Sequence, residues 1–223
     1  MSTSVRCLVD GFNVYHSLRE IMRNGGPDCR WLDVRGLCDS LLHTIGDDAQ
    51  IAEVQYFGAL AHHMEASRPG TVARHESYLG ALRTPGVEVR LGVFKPKDVR
   101  YSSPACDVRL RRHEEKETDV AIASEVVATA VESRCSALAL VSGDTDLVPA
   151  LRTARRLRPD LRLYCLFPPY RANRAFRAVV DADFKINPRK LADHLLPDPV
   201  VGMNNEPIVR PAEWREDRSR RRT

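Results

Sequence analysis

The stretch that decides the fold is Ala-Leu-Ala-Leu-Val (137–141), followed directly by Ser-Gly-Asp-Thr-Asp (142–146). A short, continuous apolar run is typical of a strand buried on both faces of a parallel sheet. Near the start of the chain, Val-Arg-Cys-Leu-Val (5–9) leads in the same way into Asp-Gly-Phe-Asn (10–13). Ligands bind beyond the carboxyl ends of the strands in such sheets. Two strands with similar polar endings therefore predict one shared site.

Strand and helix patterns alternate along most of the chain. Strands are predicted at 5–9, 52–58, 87–94, 137–142 and 162–167. Helices are predicted at 14–23, 33–45, 71–83, 117–133 and 146–158, with further short pieces near 171–180 and 188–195. This alternation favours an α/β fold, specifically a three-layer α/β/α sandwich with a mainly parallel, Rossmann-like sheet.

Two basic segments stand out from a mildly acidic body. Residues 95–113 hold six Lys or Arg residues against two Asp, and residues 207–223 hold six Arg against three acids. We predict a domain over 1–196 with a basic loop at 95–113. Alternation over 108–111 predicts that part of this loop pairs with residues near 99–102 as a hairpin. Residues 197–223, rich in Pro and Arg, are predicted to be a flexible tail.

Composition also predicts the cellular compartment of the chain. Its six cysteines are scattered without a C-x-x-C pair, which indicates reduced cytoplasmic thiols and not a disulfide frame or a zinc site. There is no signal-peptide pattern and no run of ~20 apolar residues, so we expect a cytoplasmic protein with no membrane partner. A homodimer is the base-rate expectation for its assembly.

Four aspartates are the candidate chemistry. Asp10 follows the first strand, Asp144 and Asp146 follow the strand at 137–142, and Asp119 lies where the apolar face of the helix at 117–133 begins. Clustered carboxylates repel one another unless a cation neutralises them, and hard Mg²⁺ or Mn²⁺ prefers oxygen ligands. Helix capping is an open alternative for Asp10, Asp146 and Asn13.

Three blocks of sequence resemble the NYN domain family, a PIN-like, LabA-like branch of metal-dependent ribonucleases. They are D-G-F-N at 10–13, E-K-E-T-D-V at 115–120 and S-G-D-T-D at 142–146, and the resemblance spans about residues 5–187. It implies a PIN-like α/β/α fold. It also implies that Asp10, Asp119, Asp144 and Asp146 are the metal-binding acids, with Asn13 and Ser142 as supporting polar residues.

These observations predict a metal-dependent endoribonuclease that hydrolyses RNA phosphodiester bonds with Mg²⁺ or Mn²⁺. The RNA backbone would be held by cationic side chains, as electrostatic recognition of phosphates requires. The candidates for this role are Lys116, Arg109, Arg111, Arg112, Arg174 and Arg177.

Other functions are compatible with parts of the pattern. A non-catalytic RNA-binding or protein-interaction module could use the same fold with an idle acidic site. A phosphatase of the haloacid dehalogenase type needs D-x-D on the first strand, where this chain has Phe12 in the second acidic position. No G-x-G-x-x-G follows a strand, which disfavours a dinucleotide cofactor. His62 and His63 lack a spaced third ligand and are interpreted as packing or surface residues.

Overall fold

One large sheet organises the fold. In the computed structural model, residues 2–103, 106–202 and 204–215 are described, with side chains described outside 99–112. The strands are β1 (Thr3–Asp10), β2 (Ala49–Ala59), β3 (Val87–Ser103), β4 (Cys106–Lys116), β5 (Ala137–Val141), β6 (Arg162–Phe167) and β7 (Ala182–Lys185). They are ordered β4-β3-β2-β1-β5-β6-β7, and every neighbouring pair is parallel except β3 with β4.

Helices cover both faces of this sheet. They are α1 (Gly11–Arg23), α2 (Val34–Asp39), α3 (Thr71–Arg83), α4 (Thr118–Glu132), α5 (Val148–Leu157) and α6 (Pro188–Asp193). Helices α1, α2, α3 and α6 share one core with Cys7 and Val9 of β1, whereas α4 and α5 share the other with Leu8. Successive side chains of a strand point to opposite faces, so the three-layer sandwich predicted from sequence is confirmed.

The helix predicted at 33–45 is shorter in the structure. α2 ends at Asp39, and a 3₁₀ turn follows at Leu42–Thr44. The Ser40 hydroxyl donates to the Leu37 carbonyl oxygen at 2.8 Å, and the Thr44 hydroxyl donates to the Leu41 carbonyl oxygen at 2.7 Å. Such local bonds from short polar side chains compete with continued helix.

The basic loop is an antiparallel hairpin. β3 pairs with β2 as far as Gly92, and from Val93 onward it pairs with β4. Val99 lies opposite Leu110 and Ser102 lies opposite Asp107, which confirms the hairpin predicted near 99–102. We call the paired segments 93–103 and 106–116 the β3–β4 arm. It continues past the parallel part of the sheet at the edge where β2 and β1 end.

The segment predicted to be a flexible tail contains defined structure in its described part, and its flexibility stays a prediction. Strands β8 (Val200–Val201) and β9 (Pro207–Ile208) pair, and Trp214 is buried. The Trp214 ring lies 6.4 Å from the Trp31 ring and 6.1 Å from the Tyr78 ring, with the Arg30 guanidinium over it at 5.1 Å. Composition predicted disorder because it averages over the segment, whereas a few buried side chains, Val200 and Trp214 among them, pack it into the core. Residues 216–223 lie outside the described chain, and the domain boundary at 196 stays a prediction.

The remaining predictions concern membrane association, the cysteines, cellular location and oligomeric state. None of the helices in the described ranges is long and apolar enough to cross a membrane. Cys7, Cys38, Cys135 and Cys165 are free, buried thiols. Cytoplasmic location and a homodimer stay predictions.

Candidate functional site

The ends of β1 and β5 are joined by a hydrogen-bonded network. The Asp10 carboxylate is 2% exposed, and its Oδ2 accepts a 2.7 Å hydrogen bond from the buried Ser142 hydroxyl. Its Oδ1 accepts from the Asn13 backbone N–H at 2.9 Å, so Asp10 also caps α1. Asn13 is not the cap: its Oδ1 accepts from the Gly143 N–H at 3.0 Å and ties α1 to the turn after β5.

The S-G-D-T-D turn is held by its own side chains. The Ser142 hydroxyl accepts from the Asp144 N–H at 3.0 Å, and Asp144 Oδ1 accepts from the Asp146 N–H at 3.0 Å. Asp144 therefore caps the short 3₁₀ helix that follows, while Asp146 is exposed. A Cβ on Gly143 would collide with the Arg171 carbonyl group, so only glycine lets the two backbones approach this closely.

Asp119 reaches the site from the start of α4. Glu117, the residue before the helix, has φ 81°, a left-handed conformation that is costly for a residue with a Cβ. Glu115 Oε1 accepts from the Thr118 N–H at 3.0 Å and satisfies one of the helix's first donors. Glu115 stands in the E-K-E-T-D-V block, yet sequence reasoning assigned it no role. The turn places Asp119 in the first turn of α4.

Burial and the negative charge of neighbouring aspartates raise the pKa values of Asp10 and Asp119. We call Asp10, Asp119, Asp144 and Asp146 the acidic cluster. Burial raises the pKa of Asp10, although hydrogen bonds from Asn13 and Ser142 oppose this rise. The pKa of Asp119 is raised to about 6, first by burial and then by the negative charges of Asp144 and Asp10. A charged ligand that relieved this repulsion would have to be a cation.

The raised pKa of Asp119 predicts a pH-dependent stability in chelator. Folded Asp119 holds its proton to about pH 6, whereas an unstructured aspartate loses it near 3.8. The folded state binds more protons in this range, so its stability falls as pH rises from about 4 to about 7. Because Asp119 is partly exposed, we expect a loss of about 1 kcal/mol after screening.

The matched measurement is urea unfolding of wild type and Asp119→Asn at pH 4 and pH 7. The variant should gain about 1 kcal/mol relative to wild type between the two pH values. A difference that does not change with pH would contradict the assigned electrostatics.

The ligand atoms that the acidic cluster offers are of the kind that a hard divalent cation prefers. All four side chains offer carboxylate oxygens, which Mg²⁺ and Mn²⁺ prefer over soft metals. In the described part of the chain, no three His, Cys, Asp or Glu side chains form a group that could hold a metal ion. Among the described residues, the four aspartates therefore influence one another's charge without forming a ready metal site.

The residues predicted to bind RNA differ in where they lie relative to the acidic cluster. Lys116 is exposed, and its Nζ lies 2.7 Å from Glu114 Oε2. Side chains alternate along β4, so Lys116 points away from the face of Glu115, which contacts the start of α4. Lys116 is thus not brought to the acidic cluster. The side chains of Arg109, Arg111 and Arg112 lie outside the described part, and their role stays a prediction.

Arg174 and Arg177 come together beside the ends of β6 and β7. They line a small cavity of about 170 Å³ with Lys185, Asn173 and Asp183. Arg177 Nε donates to Asp183 Oδ1 at 3.3 Å, while Arg174 is exposed. We call these five residues the basic cavity. The sequence marked the two arginines, but it contained no sign that Lys185 would join them.

The fold is a three-layer α/β sandwich in which aspartates lie at or just after the carboxyl ends of β1 and β5. The profile of the NYN domain family matches residues 5–186, and the chain belongs to that family. This confirms the family resemblance of the three sequence blocks.

Two individual proteins are similar to the chain. The protein named 6-hydroxy-3-succinoylpyridine 3-monooxygenase HspA, from Pseudomonas putida (strain DSM 28022 / S16), is 26% identical across 94% of this chain and 74% of its own length. The crystal structure of VPA0982, a protein of unknown function from Vibrio parahaemolyticus RIMD 2210633, has a TM-score of 0.52 at 18% identity. That comparison covers 87% of this chain and 97% of the other, and it bears on the fold alone.

Proposed function

We propose that this chain is a metal-dependent endoribonuclease that hydrolyses RNA phosphodiester bonds at the acidic cluster. The observation that carries the proposal is the hydrogen-bonded junction of β1 and β5, where Asp10 accepts from the Ser142 hydroxyl and Asn13 accepts from the Gly143 N–H. Burial and then the charges of Asp144 and Asp10 raise the pKa of Asp119 beside this junction. Carboxylates on β1, α4 and the turn after β5 are thus held near one another at an energetic cost. A cation-dependent function explains why a fold would maintain this repulsion.

The chain's own residues have separate tasks in this proposal. Asp10, Asp119, Asp144 and Asp146 would hold Mg²⁺ or Mn²⁺. A bound divalent cation supplies Lewis-acid stabilisation of charge that develops on phosphoryl oxygens. Ser142 and the Asn13 N–H orient the Asp10 carboxylate through their hydrogen bonds. Arg174 and Lys185 of the basic cavity would hold RNA phosphates by charge-assisted hydrogen bonds.

Two alternative functions differ in what they require. A non-catalytic RNA-binding module gains nothing from carboxylates that repel a polyanion. The name of the Pseudomonas relative suggests hydroxylation of a hydroxypyridine. Here β1 leads into D-G-F-N and not into the glycine-rich loop that cradles a dinucleotide. The acidic cluster therefore favours the nuclease.

Cleavage of labelled single-stranded RNA tests the proposed function directly. The assay compares Mg²⁺, Mn²⁺ and chelator for wild type and Asp144→Asn. We expect cleavage only with metal and a rate at least about a hundredfold lower in Asp144→Asn, because one charged ligand is worth several kcal/mol. Asp47→Asn is the matched control, since Asp47 is exposed in the turn before β2, at the opposite edge of the sheet. It should cleave like wild type.

The other outcomes assign the other functions. RNA binding that persists in chelator, with no cleavage under any condition, would favour the binding module. Turnover of 6-hydroxy-3-succinoylpyridine, with no RNA cleavage, would favour the chemistry in the relative's name. Equal cleavage by Asp144→Asn and wild type would overturn the assigned site.

A further inference from the structure

Four aromatic rings form a contiguous group where the β3–β4 arm meets the body of the domain. The Phe12 and Phe94 rings meet edge to face at 5.6 Å, and the His63 ring lies 4.6 Å from Phe94. His63 and His113 stack at 4.3 Å with an interplanar angle of 12°. We call Phe12, His63, Phe94 and His113 the aromatic cluster. It draws on the start of α1, the 3₁₀ turn His62–Met64 and both strands of the arm.

The aromatic cluster adjoins the acidic cluster on two sides. Phe12 follows Asp10 by two residues at the start of α1. Phe94 lies opposite Glu115 in the arm, and Glu115 in turn accepts the hydrogen bond from Thr118 at the start of α4, next to Asp119. The rings are therefore connected through Phe12 to the residues that follow Asp10 and through Glu115 to the start of α4, which carries Asp119. A ligand bound at the acidic cluster would reach them without leaving this edge of the sheet.

The rings are not sealed in a core. His113 is exposed, and Phe12, His63 and Phe94 are half-buried. Nδ1 of His63 is buried and makes no hydrogen bond to any described residue. A ligand cannot reach this buried atom, so the exposed His113 ring, which stacks on His63, is the part of the cluster that a flat ligand would contact.

We propose that the aromatic cluster is a stacking site for an unpaired base of single-stranded RNA. A nucleobase has a π-face that stacks on aromatic rings and polar edges that can pair with an imidazole nitrogen. A base within a duplex is already stacked and paired, so the site selects single strands. This inference rests on the proposed function for the identity of the nucleic acid and names the substrate class of that site.

The layout of the sheet gives the bound strand a path. In the order β3-β2-β1-β5-β6, the aromatic cluster lies by β3, the acidic cluster at β1 and β5, and the basic cavity by β6. Four steps between neighbouring strands span roughly 19 Å. A single strand crossing this edge would place a base on the rings and a phosphate in the basic cavity. The backbone between them would pass over the carboxylates.

Binding in chelator tests the stacking site without cleavage. Two short fluorescent oligonucleotides of equal length are compared by anisotropy: an oligouridylate and a matched abasic ribose-phosphate strand. We expect wild type to favour the oligouridylate, and Phe94→Leu and His113→Ala to bind it about tenfold more weakly, as loss of one stacked base implies. Affinity for the abasic strand should be unchanged in both variants.

The abasic strand separates stacking from a structural role. If the rings only hold the arm against the body, both variants should weaken the two oligonucleotides equally, and the proposal is overturned. Wild type without a preference for the base-bearing strand overturns it as well. His43→Ala is the matched control, because His43 is exposed in the 3₁₀ turn before β2, at the opposite edge of the sheet. Exposed His113 makes His113→Ala informative even if Phe94→Leu fails to fold.

The result of this binding experiment does not depend on the result of the cleavage assay. A base preference that depends on Phe94 and His113, with no metal-dependent cleavage, would support the stacking site and contradict the nuclease. Metal-dependent cleavage without a base preference would support the nuclease and contradict the stacking site.

Discussion

Asp10→Asn is expected to lower metal-dependent RNA cleavage more than a thousandfold while leaving the fold intact. An asparagine can still accept the Asn13 N–H bond, and its amide can donate to the Ser142 hydroxyl in place of the present 2.7 Å contact. The change therefore removes charge with little loss of shape. Losing several kcal/mol of cation-mediated stabilisation corresponds to three or more factors of ten in rate.

The thermal stability of Asp10→Asn is expected to equal or exceed that of wild type, although its cleavage rate falls. Burial raises the pKa of Asp10, so the folded state disfavours its charged form at neutral pH. A neutral asparagine removes that penalty, and we expect a thermal midpoint in chelator equal to or above that of wild type. Single-turnover cleavage and thermal unfolding of the same preparations are the measurements, with Asp47→Asn as the control. Cleavage by Asp10→Asn within tenfold of wild type would contradict the assigned role.

Arg6→Ala is expected to cause the largest loss of stability, about 3–5 kcal/mol. The Arg6 side chain is 9% exposed, and its Nη2 lies 2.6 Å from Glu125 Oε2 while its Nε lies 2.9 Å from Glu53 Oε2. Its Nη1 also donates to the Thr129 hydroxyl at 2.8 Å. Removing the cation would leave Glu125 with Arg90 as its remaining cationic contact among the described residues. It would also take the Arg6 contact from Glu53 and leave a cavity beneath α4.

Thermal unfolding should show this loss as a fall in Tm of roughly 10 °C for a chain of this size. Arg23→Ala is the matched control, since Arg23 is 64% exposed and lies 3.5 Å from Glu20. We expect that change to stay within about 0.5 kcal/mol. The double variant Arg6→Met with Glu125→Gln should recover part of the loss, because it removes opposite charges together. An Arg6→Ala protein that unfolds within 2 °C of wild type, roughly 1 kcal/mol or less, would contradict a stabilising role for the Arg6 ion pairs.

The same contact connects stability to the candidate site. Glu125 and Thr129 belong to α4, which carries Asp119 in its first turn, while Arg6 belongs to β1, which ends at Asp10. Weakening the Arg6 contacts should therefore loosen the placement of Asp119 relative to Asp10. We expect cleavage by Arg6→Ala to fall further than cleavage by Arg23→Ala at temperatures where both remain folded.

Sequence reasoning succeeded where the signal is local. The apolar run at 137–141 and the run at 5–9, interrupted only by Arg6, identified the two neighbouring strands, and the polar residues that follow them fall at one end of the sheet. Helix patterns located α1, α3, α4 and α5 for the same reason, since backbone periodicity is a property of consecutive residues. The structure of the segment after residue 196 was missed because its composition was averaged, while Val200 and Trp214 are buried in the core that contains Trp31 and Tyr78.

At the candidate site, the contacts that the sequence could not predict are those between residues far apart in the chain. Asn13 and Asp10 were both open as helix caps in the sequence, and only the contact between Gly143 and Asn13 distinguishes them. Lys116 was assigned to RNA because it is cationic, but strand alternation turns it to the face opposite Glu115. His62 and His63 looked alike, yet only His63 stacks on His113, fifty residues later in the chain.

By itself, the sequence determined the α/β class, the family and the four aspartates, because strand patterns and short motifs are properties of neighbouring residues. Tertiary structure alone decided which of those groups affect one another's charge, since the pKa of Asp119 is raised by burial and then by Asp144 and Asp10 from distant segments. It also decided that Phe12, His63, Phe94 and His113 form one surface. Contacts between distant segments depend on strand order and register, which packing of the whole chain selects.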